Sequence, residues 1–181
     1  YNGKIPRNPF AMYHVDPDHK EREFLTLDEL TAMTEIKLED PNMAFARDLF
    51  IFGCWTGISF IDIKNLTEDN ISIVNDAPWI ISKRQKTGVP FQIKLMDIPM
   101  LIIERYKSFR KDNHLFNIGN LDSINKRIKK VAAMCGIKKR VSFHVSRHSW
   151  AVLALEYGMP IESVSKILGH TNITTTQIYA K

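Results

Sequence analysis

Between residues 71 and 95 the hydrophobic period of this chain switches from that of helices to that of strands, and afterwards it switches back. Residues 71–74, 79–82 and 89–95 form short runs rich in β-branched side chains. Asn75-Asp76-Ala77-Pro78 separates the first two, and Lys86-Thr87-Gly88 the last two. Short β-branched runs separated by turn residues predict three antiparallel strands with tight connections. The flanking sequence is helical in period. Thr26 and Glu29 make a capping-box pair ahead of Leu27, Leu30 and Met33. A helix over 43–55 should bury Ala44, Phe45, Leu49 and Phe52. A short helix over 59–65 follows the Thr56-Gly57 break. Pro99 should open another, with Leu101, Ile102 and Tyr106 inward. Ile124, Ile128, Val131 and Cys135 mark a long amphipathic helix over 123–135. Three more are expected over 144–157, 161–168 and 173–180. The fold class is therefore mainly α with a small three-stranded antiparallel β-sheet, an α+β arrangement.

With 181 residues, 44% of them hydrophobic, the chain can build one globular domain with a real core, or one domain plus an arm. Pro6, Pro9 and Pro17 and a charged run mark residues 1–22 as a linker or the tail of a preceding domain, so the folded domain is expected over 23–181. The chain opens on Tyr1 rather than Met, which reads as an excised piece of something longer. No apolar run approaches the roughly 18 residues of a membrane-spanning helix. A formal charge of +5 and a pI near 9.2 fit a polyanionic partner. Cys54 and Cys135 lie far apart in apolar helical patterns and read as buried thiols, with neither disulfide nor metal spacing.

Four islands carry the chemistry: Lys86, the run His144-Val145-Ser146-Arg147-His148, the run Leu168-Gly169-His170, and Tyr179. They offer a nucleophile, an acid, a guanidinium and imidazoles, without a carboxylate cluster for a metal. That set suits attack by a tyrosine on a phosphodiester. A free phenol ionises near pH 10, so only about one in a thousand is phenolate at pH 7, and the site must remove the proton or favour its loss. His170 and Arg147 are candidates for that. The planar fork of Arg147 matches phosphate oxygens and the charge of a pentacovalent transition state. His144, three residues earlier, shares its helix face. His170 can donate to the same phosphate or exchange protons near neutrality.

The order and spacing of these islands resemble the catalytic domain of the tyrosine recombinases (the phage integrase family) from about Glu23 onward. The segment from Leu168 to Tyr179, with the tyrosine nine residues after His170, carries the likeness most closely. The resemblance implies that Tyr179 forms a 3′-phosphotyrosyl bond, that Lys86 protonates the leaving 5′ oxygen, that His148 is a more structural histidine, and that neither cofactor, metal nor ATP takes part. It implies double-stranded DNA sites as partner, a homotetramer of the whole protein on DNA, and an accessory DNA-bending protein in some systems. With the exchanging tail largely missing, the chain alone is expected to be mostly monomeric. One position departs from the pattern. The family reads Thr-Gly-x-Arg; this chain reads Thr56-Gly57-Ile58-Ser59, with Asp62 matching the acidic residue three positions on. Integrases of conjugative elements in the Bacteroides group are similar in lacking that arginine. Arg84, two residues before Lys86 on the adjacent strand and by strand period two on the same face, is the candidate substitute. The alternative is a catalytically impaired relative.

Lys83, Lys126, Arg127, Lys130, Lys139 and Arg140 are candidate phosphate contacts. Two rival readings are open to test. Residues 160–179 could be a helix-turn-helix of a regulator. His144, His148 and His170 could be metal ligands, although no glutamate sits between the first pair.

Overall fold

The computed structural model describes residues 23–180; the expected linker over 1–22 lies outside the described residues. Helices α1 (Leu27–Glu35), α2 (Pro41–Thr56) and α3 (Phe60–Lys64) precede an antiparallel sheet of β1 (Ile71–Val74), β2 (Ala77–Lys83) and β3 (Pro90–Lys94), and α4 (Asp97–Tyr106), α5 (Leu121–Met134), α6 (Phe143–Glu156), α7 (Ile161–Leu168) and α8 (Thr174–Gln177) follow. The expected class is the observed one.

Each boundary has a local cause. Thr26 and Glu29 close the capping box of α1. Asp40 caps α2, which starts two residues before the expected position, with Pro41 in the first turn where its missing N–H costs nothing. Asn75 and Asp76 both adopt positive φ, so β1 and β2 meet in a two-residue turn with Val74 opposite Ala77. The four-residue connection expected there is thus too long; Asn and Asp tolerate the left-handed conformation, and Ala77 and Pro78 join the strand.

The centre of the molecule is α2. It is walled by α1, α4, α5 and α6, and from Ala46 to Cys54 every residue is buried. The one-sided stripe expected for it is therefore a correction: Ala44 and Phe45 are only half-buried, while Phe50 and Ile51 are buried as deeply as Leu49. Two charges are carried into this core. Arg47 donates to the carbonyls of Met33, Thr34 and Ile36, finishing α1, and pairs with Asp48, which also takes Arg105 and Tyr106 of α4. Helix α4 starts at Asp97 and not at Pro99; in it Ile102 and Ile103 face in, Tyr106 is half-buried, and Leu101, expected inward, faces out. Ile124, Ile128 and Val131 are buried as expected, whereas Cys135 is half-buried with its thiol near Ala32 O.

Helices α2 and α6 approach so closely that a Cβ on Gly53 would lie 2.5 Å from Ser146 Oγ and 3.1 Å from its Cβ. Ser146 is itself held by Phe143 O. Gly53→Ala should therefore destabilise the protein by about 1–3 kcal/mol, as overpacking does. Urea unfolding measures this, and an unchanged midpoint would mean that α6 yields without strain.

Candidate active site

The first wall of the site is the turn after α2. Gly57 sits at φ +65°, and a Cβ there would meet the Trp150 ring at 2.6 Å, so glycine is required twice over. The turn leads into Ser59, which caps α3: its Oγ accepts from Asp62 N. The same hydroxyl donates to Asp62 Oδ2 at 2.6 Å.

Asp62 is buried and joins three elements. Its Oδ2 also takes Nη1 of Arg84 at 3.0 Å, and its Oδ1 takes the backbone N–H of Gln85 at 2.8 Å. Arg84 is 5% exposed. It lies over the Phe91 ring at 4.1 Å, runs against Gly169, and donates through Nη2 to Ile167 O. The side chain of Arg84 thus fills the level of Ser59. The expectation that Arg84 and Lys86 share a strand face is corrected: β2 ends at Lys83, the chain turns through Arg84 N to Val89 O and Gly88 N to Arg84 O, and Lys86 is exposed while Arg84 is buried. Alternation fails where the ladder stops. Lys83 is exposed beside it.

Arg147, from α6, donates Nη1 to Gly57 O at 2.8 Å and Nη2 to Leu168 O. The two guanidiniums therefore dock on consecutive carbonyls at the C-terminal end of α7, where the helix dipole is negative. Burial, and next the charge of Arg84, bring Arg147 down to about 10; Tyr179 and Asp62 act in the opposite sense. Arg84 is lowered by burial against the support of Asp62. Two cations thus lie close together with one of them paired to Asp62, which is an environment that favours an anion.

Tyr179 is 8% exposed and packs with Trp150, Val164 and Leu168. Its hydroxyl stands 2.6 Å from Nδ1 of His148. The pairing with His148, rather than with His170, is not what the sequence predicts; the i, i+31 contact has no local signature. His148 is buried, and His144, exposed at the mouth, meets its ring edge to face at a centroid distance of 4.2 Å. His170 is half-buried, with Nδ1 2.8 Å from the buried Thr176 hydroxyl. A groove of about 290 Å³ opens beside these groups, lined by Ser59, Ile61, Leu121, Asn125, His144 and Arg147.

The basic surface is partly remote from solvent. Lys126, Lys130 and Arg140 are exposed, and Arg127 is half-buried with Nη1 on Ser123. Lys139 is a correction: it donates to Phe24 O and pairs with Glu29 at 2.6 Å, tying α1 to the entry of α6. Its ammonium is already committed within the fold.

The helix-turn-helix reading does not fit this geometry. The expected last helix over 173–180 is a single turn, Thr174–Gln177, with Tyr179 turned inward, so it offers no groove-reading helix. Among the described residues no group of three or more His, Cys, Asp or Glu converges to hold a metal ion. No described helix is long and apolar enough to cross a membrane.

Comparison with known proteins agrees with the fold. The curated relatives include a tyrosine recombinase XerC of Natranaerobius thermophilus, 47% identical over 97% of this chain and 64% of that protein, and a tyrosine recombinase XerC of Yersinia pestis, 25% identical over 98% of this chain and 61% of that protein. The chain thus spans less than two thirds of the length of these relatives. Among solved structures, XerA recombinase matches with a TM-score of 0.72 at 23% identity, over 88% of this chain and 59% of that one. The XerH recombinase bound to its difH substrate, in a post-cleavage complex, matches with a TM-score of 0.75 at 18% identity, over 89% of this chain and 50% of that one. Residues 23–181 match the model of the phage integrase family, and to that family the chain belongs.

Proposed function

We propose that this chain is the catalytic part of a tyrosine site-specific recombinase that cuts and rejoins double-stranded DNA. The observation that carries the reading is the convergence of Arg84 and Arg147 on the last two carbonyls of α7, beside the Leu168 side chain against which Tyr179 packs. A phosphate entering there meets two guanidiniums, His144 and His170, with Tyr179 adjacent.

In this reading Tyr179 Oη attacks a DNA phosphate and forms a 3′-phosphotyrosyl bond. Lys86, on the exposed loop after Arg84, moves onto the scissile bond and protonates the 5′ oxygen that leaves. Arg147, Arg84, His144 and His170 stabilise the charge that develops on phosphorus oxygens. A 5′ hydroxyl of another strand then reverses the step. One phosphodiester replaces another, so the reaction requires neither ATP nor a metal. Arg84 supplies the guanidinium that Ser59 cannot, and Asp62 positions it. The finer assignment, to integrases of Bacteroides-type conjugative elements, rests on Ser59. The whole protein is proposed to work as a homotetramer on its sites, with a DNA-bending protein as a further partner.

The test is covalent trapping. Nicked suicide duplexes with randomised cores are incubated with the protein in chelator, denatured, and the adduct is mapped by peptide mass spectrometry. The expected adduct sits on Tyr179. Specific DNA binding with no adduct would instead make the protein a regulator or a catalytically impaired relative. Binding should also weaken with salt, by about 0.9 log unit per log unit of salt for each phosphate contact. Lys126→Ala, Lys130→Ala and Arg140→Ala should each flatten that slope by about one contact, whereas Lys139→Ala should act on stability through Glu29 and leave the slope alone. A slope changed by Lys139→Ala would return that residue to the DNA surface.

A further inference from the structure

The proton on Tyr179 has no acceptor assigned in the reaction above, and the structure offers one. We infer that His148 is a catalytic residue, the general base that takes the phenolic proton of Tyr179. The inference rests on the recombinase reading and deepens it.

The hydroxyl of Tyr179 and Nδ1 of His148 are 2.6 Å apart, a distance typical of a strong O–H···N contact. With Nδ1 unprotonated, the phenol donates and the imidazole accepts. Both groups are buried, at 8% and 6% exposure, so bulk water is a poor competitor for the proton. The other two histidines of the site are less suited to this step. His170 Nδ1 faces Thr176, and His144 lies exposed at the mouth, against the ring of His148. Helix α6 explains the division of labour. Arg147 and His148 are consecutive, so one turns to the guanidinium pocket and the next to the phenol, while His144 lies one turn earlier, above His148.

The step balances. The Oη–P bond forms as the phenolic proton passes to Nδ1 of His148. The P–O5′ bond breaks, and O5′ leaves with a proton from Lys86. On rejoining, the incoming 5′ hydroxyl gives its proton to Lys86, the new P–O5′ bond forms, and His148 returns the proton to Oη as the phosphotyrosyl bond breaks. Each base–acid pair is thus restored after a full cycle, with no outside reagent.

The experiment measures single-turnover adduct formation on nicked suicide duplexes at saturating DNA. The His148→Asn substitution is chosen because its Oδ1 can still accept from Tyr179 but cannot take a proton, so the pocket stays filled and the tyrosine stays placed. The expected loss is about 10²–10⁴-fold, the range for a general base. The second arm replaces Tyr179 by a ring-fluorinated tyrosine, whose phenol ionises more readily. The penalty of His148→Asn should then shrink, because less assistance is needed. Urea unfolding of each variant confirms that the loss is read on folded protein. A His148→Asn variant that reacts at the wild-type rate reduces His148 to a positioning residue and overturns the inference. So does a penalty that is the same for both phenols. Absence of adduct from the unsubstituted protein sinks the recombinase reading itself, and the base with it, which separates the two failures.

Discussion

Replacing Tyr179 by phenylalanine is expected to abolish the covalent DNA adduct and to leave the protein folded. The ring of Tyr179 packs with Trp150, Val164 and Leu168, and phenylalanine keeps all of that packing. What disappears is one oxygen and its contact with His148. The stability change should therefore be about 1 kcal/mol, the net worth of one hydrogen bond, while the reaction loses its nucleophile entirely. Few substitutions separate stability from chemistry so widely. Two other described tyrosines could be imagined in its place. Tyr106 donates to Asp48 across α2 and α4, and burial, then Asp48, push its phenol well above the ordinary range. Tyr157 is 74% exposed at the end of α6, about 20 Å along the helix from His144 at 1.5 Å per residue. Neither is adjacent to the two guanidiniums. The measurement is a denaturing gel of protein with radiolabelled suicide duplex, with duplex binding checked in parallel. Any adduct surviving in Tyr179→Phe would place the nucleophile elsewhere and undo the assignment of the whole site.

The sequence made much of this legible because its signals are local. Thr26 and Glu29 need only each other to start α1, and Asn75-Asp76 needs only its own φ preferences to turn the chain. Ile124, Ile128 and Val131 find the core through a period that no distant contact alters. The unreadable parts depend on partners far along the chain. Nothing in α2 says that four helices will surround it, so its residues at Phe50 and Ile51 look solvent-facing until α1, α4, α5 and α6 are placed. Lys139 reads as one cation among several until Glu29, 110 positions earlier, comes beside it. His148 likewise reads as structural until α8 stops after one turn and sends Tyr179 back onto it. The candidate site shows the same division. Its residue types and order were plain, whereas the pairing of the His148 imidazole with the Tyr179 phenol and the inward turn of Arg84 belong to tertiary structure.

Arg84→Ala is expected to lower adduct formation by roughly 10²–10³-fold, the usual consequence of removing one transition-state donor, and Ser59→Arg in the same protein should recover part of it. The argument turns on Asp62. In the native protein its carboxylate takes Arg84, Ser59 Oγ and Gln85 N–H. Removing Arg84 leaves that buried carboxylate without its cation, which destabilises by about 3–5 kcal/mol in comparable cases. It also frees the space against Phe91 and Gly169 that the arginine occupied. An arginine at position 59 begins three residues from Asp62 and faces the same pocket, so it can reach the vacated carboxylate from the opposite wall. It gives up the Ser59 cap of α3, about 1 kcal/mol, but restores a cation. The double variant should therefore regain stability as well as roughly tenfold or more in rate, about 1.4 kcal/mol of transition-state stabilisation. Ser59→Arg alone should do worse than either wild type or the double variant. Three guanidiniums would then compete for one carboxylate and two helix-end carbonyls, and like charges at close range repel. Urea unfolding and single-turnover adduct formation, measured on all four proteins, read both effects. Additive losses, with the double variant worse than Arg84→Ala, would show that position 59 and Arg84 do not serve the same phosphate, and Ser59 would then mark a weakened enzyme and not a relocated arginine.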